Sequence, residues 1–97
     1  MRTLRPAGRF RKDYKRETKG KSAAYVKKLD GELAAVVRVL VVDGVLEERY
    51  KDHPLTGDWK DHRDCHVRND LVLIYRKPDD NTLELIRLGS HSELGLK

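Results

Sequence analysis

The chain has one cysteine, one tryptophan, one phenylalanine, three prolines and no long apolar run, and each scarcity removes a class of protein. Cys65 has no partner for an internal disulfide, which excludes a disulfide-stapled scaffold and fits a reducing compartment. No stretch of about 18 or more apolar residues is present, so no helix is expected to span a bilayer. The basic start, residues 1–12, lacks the apolar segment a secretory signal needs. A cytoplasmic location without membrane contact is expected. Neither a CxxC pair nor an HExxH string occurs, which removes the common zinc patterns. At 97 residues the expected organisation is a single domain, 1–97, around one modest core, and no internal repeat or low-complexity segment is visible.

What is abundant is charge, and it is unevenly placed. The net charge is +5, yet residues 1–28 hold eleven Lys/Arg against Asp13 and Glu17, a balance of +9, while residues 29–97 hold ten Lys/Arg against fourteen acids, a balance of −4. A basic block beside a mixed-charge region most often contacts RNA or DNA. A solvated lysine-rich helix face, or an arm gripping an acidic protein, has the same composition.

Residues 1–4 read as a short edge strand, and Pro6 and Gly8 break the backbone before a helical segment from about Arg9 to Lys28, bent at Gly20. Asp30 is a candidate N-cap for a second helix, whose Leu33, Val36, Val37, Leu40 and Val41 recur at the spacing of one buried stripe before Gly44 stops it. Residues 50–59, with Pro54 and Gly57, read as an ordered loop. Three strands are expected next, over residues 60–67, 70–77 and 82–88; the apolar run Leu71–Tyr75 marks the middle one as buried on both faces, and Pro78, Asp79, Asp80 and Asn81 supply turn chemistry before the last. Links this short imply an antiparallel meander, and the helices must then cover one of its faces. The expected fold is α+β, two N-terminal helices packed on one face of a small, mainly antiparallel sheet.

Three histidines, His53, His66 and His91, lie among carboxylates and cations in the strand-rich half. Imidazoles titrate near neutrality, so several beside Asp70 and Arg87 could move protons around a phosphate without a metal. Cleaving RNA by its own 2′-hydroxyl needs a base for that hydroxyl, an acid for the 5′-oxygen and a cation for the charge on phosphorus. If residues 67–69 form a three-residue connection, His66 and Asp70 face each other across a hairpin; a two-residue turn breaks that pairing. For His62, between Asp61 and Arg63, a solvated surface role is favoured. Cys65 and His66 alternate to opposite sides of a strand, which argues against a shared metal and leaves Cys65 as a packed core thiol. Tyr75 reads as core, while Trp59, in a loop, could pack or stack on a base.

The strings Tyr50-Lys51-Asp52-His53-Pro54-Leu55, Gly57, Trp59-Lys60, Arg63-Asp64-Cys65-His66-Val67, Asp70-Leu71-Val72-Leu73-Ile74-Tyr75 and Arg87-Leu88-Gly89-Ser90-His91 resemble, in order and spacing, the YafQ branch of the RelE/ParE toxin superfamily. The resemblance covers residues 50–94; the amino-terminal half matches only as two helices ahead of a sheet. It implies a RelE-like fold and a bacterial mRNA interferase, the toxin of a type II toxin–antitoxin pair, cutting message in the ribosomal A site without metal or cofactor and leaving a 2′,3′-cyclic phosphate. By position, His53, His66, Asp70 and His91 match the catalytic set, and Arg87 the arginine on the scissile phosphate; Lys51, Lys60 and Arg63 are further candidate RNA contacts. The implied partners are a cognate antitoxin, the 30S A site with its rRNA, and mRNA, with DNA reached only through the antitoxin. Relatives carry an aromatic four residues after the last histidine, where this chain has Gly95. A ParE-like gyrase inhibitor and a non-catalytic RNA- or protein-binding module are the competing functions.

Overall fold

The computed structural model describes residues 1–96. Chain order is β1 (Thr3–Pro6), α1 (Gly8–Thr18), α2 (Ala23–Val41), β2 (His53–Pro54), β3 (Arg63–Arg68), β4 (Leu71–Arg76), β5 (Thr82–Gly89) and α3 (His91–Leu94), with single 3-10 turns at Glu48–Tyr50 and Gly57–Trp59. The strands form one sheet in the order β1-β5-β4-β3-β2. The expected meander β3-β4-β5 is antiparallel, and β1 adds to its edge parallel to β5, making the sheet mixed. A hairpin cannot join parallel strands, and here the chain between β1 and β5 runs through both long helices and the other three strands.

β4 is central because Leu71 through Tyr75 can be buried on both faces, and all five are. Odd positions Leu71, Leu73 and Tyr75 join Cys65, Val67, Leu83 and Leu85 in the main core beneath the helices. Val72 and Ile74 face the other way, into a smaller cluster with Leu94, Leu55 and Trp59. α2 contributes Leu29, Leu33, Val36 and Leu40 to the main core, each leucine worth about 1.5–3 kcal/mol of apolar burial.

Helix boundaries differ from the expected ones. α2 begins at Ala23, where the Ser22 hydroxyl accepts from the Tyr25 amide, and runs through Asp30, whose carboxylate accepts from the Tyr14 hydroxyl instead of capping. The break falls at Gly20, with φ +74°. A polar N-terminal turn of α2 hid its start, because lysines at residues 27 and 28 and Asp30 interrupt the apolar stripe. The region read as loop, residues 50–59, contains β2, and α3 was not anticipated at all.

Candidate active site

Strand alternation divides the chemistry between two faces. The open face is built from two cross-strand rows, His53–Asp64–Ile74–Arg87 and His66–Val72–Gly89, each member paired with the next. The face beneath the helices receives Arg63, Cys65 and Val67. Period-two geometry thus places His53, Asp64 and His66 together, and α3 carries His91 to them. The His66 and His91 rings stand 5.0 Å apart, centroid to centroid.

Asp64 is the residue the sequence reading passed over. Its side chain is 1% exposed. Burial pushes its carboxyl above the usual carboxylate range, and the fields of His53, His66 and His91, in that order, pull it back. His53 and His91 line one cleft with this buried acid, and His66 lies two residues along the same strand face. His53 Nδ1 is 3.0 Å from Asp64 Oδ1 but 2.7 Å from the Lys51 carbonyl oxygen. Both are acceptors, so Nδ1 carries the hydrogen; the shorter, better-aligned bond goes to Lys51, and Asp64 Oδ1 is left without a hydrogen-bond partner. Lys51 can present that carbonyl because it adopts φ +49° at the end of the 3-10 turn. A buried carboxylate oxygen without a donor is expensive, and such groups persist where chemistry uses them.

Asp70 does not oppose His66. A bulge between His66 and Arg68 brings Arg68 opposite Leu71 and pairs His66 with Val72, so Asn69 and Asp70 become a two-residue turn. Asp70 is exposed there and, among the described residues, makes no hydrogen bond or ion pair to an imidazole; it lines a cleft with Tyr25 and Arg68. Arg63 also departs from expectation, since it lies on the face opposite Asp64 and His66, where its Nε donates to Asp52 at 3.2 Å. Asp52 accepts from the buried Tyr75 hydroxyl at 2.6 Å as well, an arrangement that anchors the loop carrying His53. Lys51 and Lys60 are exposed.

Arg87 does face the open side, yet it is already engaged. Its Nε and Nη2 donate to Asp13 at 2.6 and 3.2 Å, and the guanidinium side chain is only 13% exposed. Asp13 also accepts from the Leu88 amide at 3.0 Å and from Arg16 at 2.8 Å. β5 extends past the end of β1, so its edge amide there has no strand partner, and α1 supplies the acceptor. The Cys65 thiol is fully buried and pushed up to about 12 by that burial, which leaves it unreactive. His62 donates to the Lys60 carbonyl at 3.1 Å and meets the Trp59 ring edge-on.

His53 and His91 open onto a cleft of 530 Å³ that they line with Asp64, Leu55, Trp59 and Leu96. Two imidazoles about 5 Å apart above a buried acid can protonate one oxygen of a phosphodiester while deprotonating another. Among the described residues, no group of three or more His, Cys, Asp or Glu side chains is arranged to hold a metal ion.

A family described as the bacterial toxin of type II toxin–antitoxin system, YafQ, matches residues 2–96. The chain belongs to the YafQ toxin family. The resemblance seen over residues 50–94 thus extends to nearly the whole chain. The mRNA interferase toxin YafQ of Escherichia coli strain K12 is 53% identical over 45 residues, 46% of this chain and 48% of that relative. The chain spans about half the length of the curated YafQ relatives it matches. Solved structures align over far more: a copper-bound mutant toxin from Helicobacter pylori superposes with a TM-score of 0.81 at 38% identity, covering 97% of this chain and 99% of that one. The E. coli DinJ–YafQ complex gives 0.78 at 34%, over 97% of this chain and 98% of its match. These YafQ-like structures share the α+β fold with the mixed sheet.

Proposed function

We propose that this chain is the toxin of a type II toxin–antitoxin pair and a ribosome-dependent mRNA endoribonuclease that cuts by 2′-hydroxyl attack. The observation that carries the reading is the gathering of His53, His66 and His91 on the sheet face that holds buried Asp64, with His53 3.0 Å from its carboxylate and the His66 and His91 rings 5.0 Å apart. His53, with its Nδ1 hydrogen held by Lys51, has Nε2 free to take the 2′-hydroxyl proton. His66 and His91 flank the phosphodiester; one donates to the 5′-oxygen and the other stabilises the non-bridging oxygens. Asp64 sets a buried carboxylate beside the imidazoles, where it stabilises the positive charge that develops on the one that takes the proton. Asp70, exposed at the hairpin tip, acts on the substrate and not through His66. Arg87 reaches the phosphate only by sharing its guanidinium with Asp13, and Lys51 and Lys60 are placed for the flanking backbone. Arg63 is left out of the RNA contacts.

The E. coli toxin in complex with DinJ supports a cognate antitoxin as partner, and the basic residues of α1 and α2 offer a surface for its acidic groups and for rRNA in turn. With rRNA and message as its substrates' setting, the working compartment is the cytoplasm. So shallow a site supports positioning of the message by the ribosome. Gyrase inhibition has no use for this histidine–aspartate set. The test is induced expression with mapping of message 5′ ends: wild type creates new ends, and His91→Ala does not. Equal cleavage by His91→Ala, or supercoiling loss without cleavage, overturns the assignment.

A further inference from the structure

The cleft beside the histidines has a wall that proton transfer does not need. Trp59, at the end of the 3-10 turn Gly57–Trp59, packs with Leu55 and Leu96 against the Val72, Ile74 and Leu94 cluster, and together they line the same 530 Å³ as His53, Asp64 and His91. Its ring is propped edge-on by His62, centroids 5.3 Å apart. Gly95 lines the same cleft without a side chain, and the space where a Cβ would stand is open, with no atom within 4 Å. The lining includes two carboxylates, Asp58 and Asp64, and no Lys or Arg, so it does not suit a phosphate. Cations lie elsewhere: His66 borders a separate cleft with the exposed Arg49, with Tyr50 and with Arg68, whose guanidinium is shared with Glu32 at 2.6 Å. The imidazole pair His91 and His66 stands between a cleft that has an indole wall and no Lys or Arg and a second one that has two arginines.

We propose that the Trp59 cleft is a nucleobase pocket, taking the base next to the scissile phosphodiester against the indole while the strand leaves past His91 and His66 toward Arg49 and Arg68. The proposal rests on the RNA-cleaving reading of the histidines and adds which part of the substrate goes where. A flat apolar base needs an aromatic face and no counter-charge, whereas its phosphates need the reverse; the two clefts divide in that way.

Trp59 is the only tryptophan, so its emission reports directly on the pocket. The probe is an RNA trinucleotide made uncleavable by 2′-O-methyl groups, with a fluorescein-labelled version for anisotropy. Saturable quenching of wild-type indole emission is expected. Trp59→Phe, which keeps a stacking ring, should bind within about threefold of wild type; Trp59→Ala should bind roughly 5- to 100-fold more weakly, the range one base–aromatic stack supplies. An abasic probe should lose a similar factor on wild type and nothing further on Trp59→Ala. Binding without any change in indole emission, as a protein segment occupying the cleft would give, overturns the pocket, as does wild-type affinity in Trp59→Ala, or a loss in Trp59→Phe equal to that in alanine. Quenching by the trinucleotide supports the pocket even if wild type cuts no message, whereas cleavage abolished by His91→Ala with an unresponsive indole sinks the pocket alone.

Discussion

Two buried aspartates sit in neighbouring parts of the molecule and are treated in opposite ways. Asp13, on α1, has both oxygens filled: Arg87 in two-pronged contact, Arg16, and the Leu88 amide. Although burial works to raise its carboxyl, these donors win and hold it below the ordinary value. Asp64, on β3, is buried as deeply but faces three imidazoles and keeps one oxygen unpartnered, and its carboxyl stays raised. The first is a joint between helix and sheet edge. The second is a cost to stability that the fold retains beside its cleft, and the contrast separates structural from chemical use of the same side chain.

The largest expected effect tests the second half of that contrast. Asp64→Asn should lower message cleavage by about 100- to 10,000-fold, since the imidazoles lose the carboxylate that faces them during proton transfer, while the urea midpoint stays level or rises. Cleavage near wild type would make Asp64 a mere packing residue. Asp13→Ala should do the reverse to stability, costing about 3–5 kcal/mol in urea unfolding, because the mostly buried Arg87 and the Leu88 amide are left without an acceptor. A cost below about 1 kcal/mol would mean that water replaces the carboxylate without loss.

Acid sharpens the comparison further because the two carboxyls pull in opposite directions. Asp13 has its folded value below 3.8, so the unfolded chain takes up the proton first as pH falls; its contribution is full above about pH 4 and drains away through the folded value. For Asp64 the folded value lies above 3.8, so the folded chain holds a proton that the unfolded chain has released, and stability declines as pH rises through that window. Urea midpoints measured from pH 3 to 7 should therefore show Asp13→Ala converging on wild type in acid, and Asp64→Asn gaining on it as pH rises. Parallel curves for wild type and both variants would remove the linkage.

Much of the fold was legible because its strongest signals are local. The apolar run Leu71–Tyr75 and the turn residues Pro78–Asn81 announced β4 and the link to β5, and both stand as read. β1's parallel pairing with β5 was not legible, since it joins residues nearly eighty positions apart and leaves no periodicity in a four-residue strand. In the site, the histidines were visible by residue type, and the facing of Asp70 to His66 depended on a three-residue connection. The bulge after His66 shifted that register and moved Asp70 out of line. Alternation alone could have found Asp64: it lies two residues before His66, hence on the same face, while Arg63 and Cys65 necessarily turn to the other.

The smallest effect concerns how the two aspartate regions are tied together. Ser90 caps α3 through a reciprocal pair of bonds, its hydroxyl accepting from the Glu93 amide at 3.1 Å and its amide donating to Glu93 Oε1 at 2.9 Å. His91 is the first residue of that helix, so the cap sets the direction of its ring. The same Glu93 carboxylate meets Arg16 at 3.3 Å, and Arg16 in turn meets Asp13. Ser90→Ala should therefore cost about 1 kcal/mol of stability and several-fold in cleavage, with Ser90→Thr recovering both. If alanine lowered the urea midpoint and left cleavage untouched, His91 would be held by Leu94 packing alone, and the Asp13 joint would have no bearing on the imidazoles. A loss in both, repaired by threonine, would instead make the satisfied aspartate a support for the unsatisfied one, linked through Arg16, Glu93 and a single turn of helix.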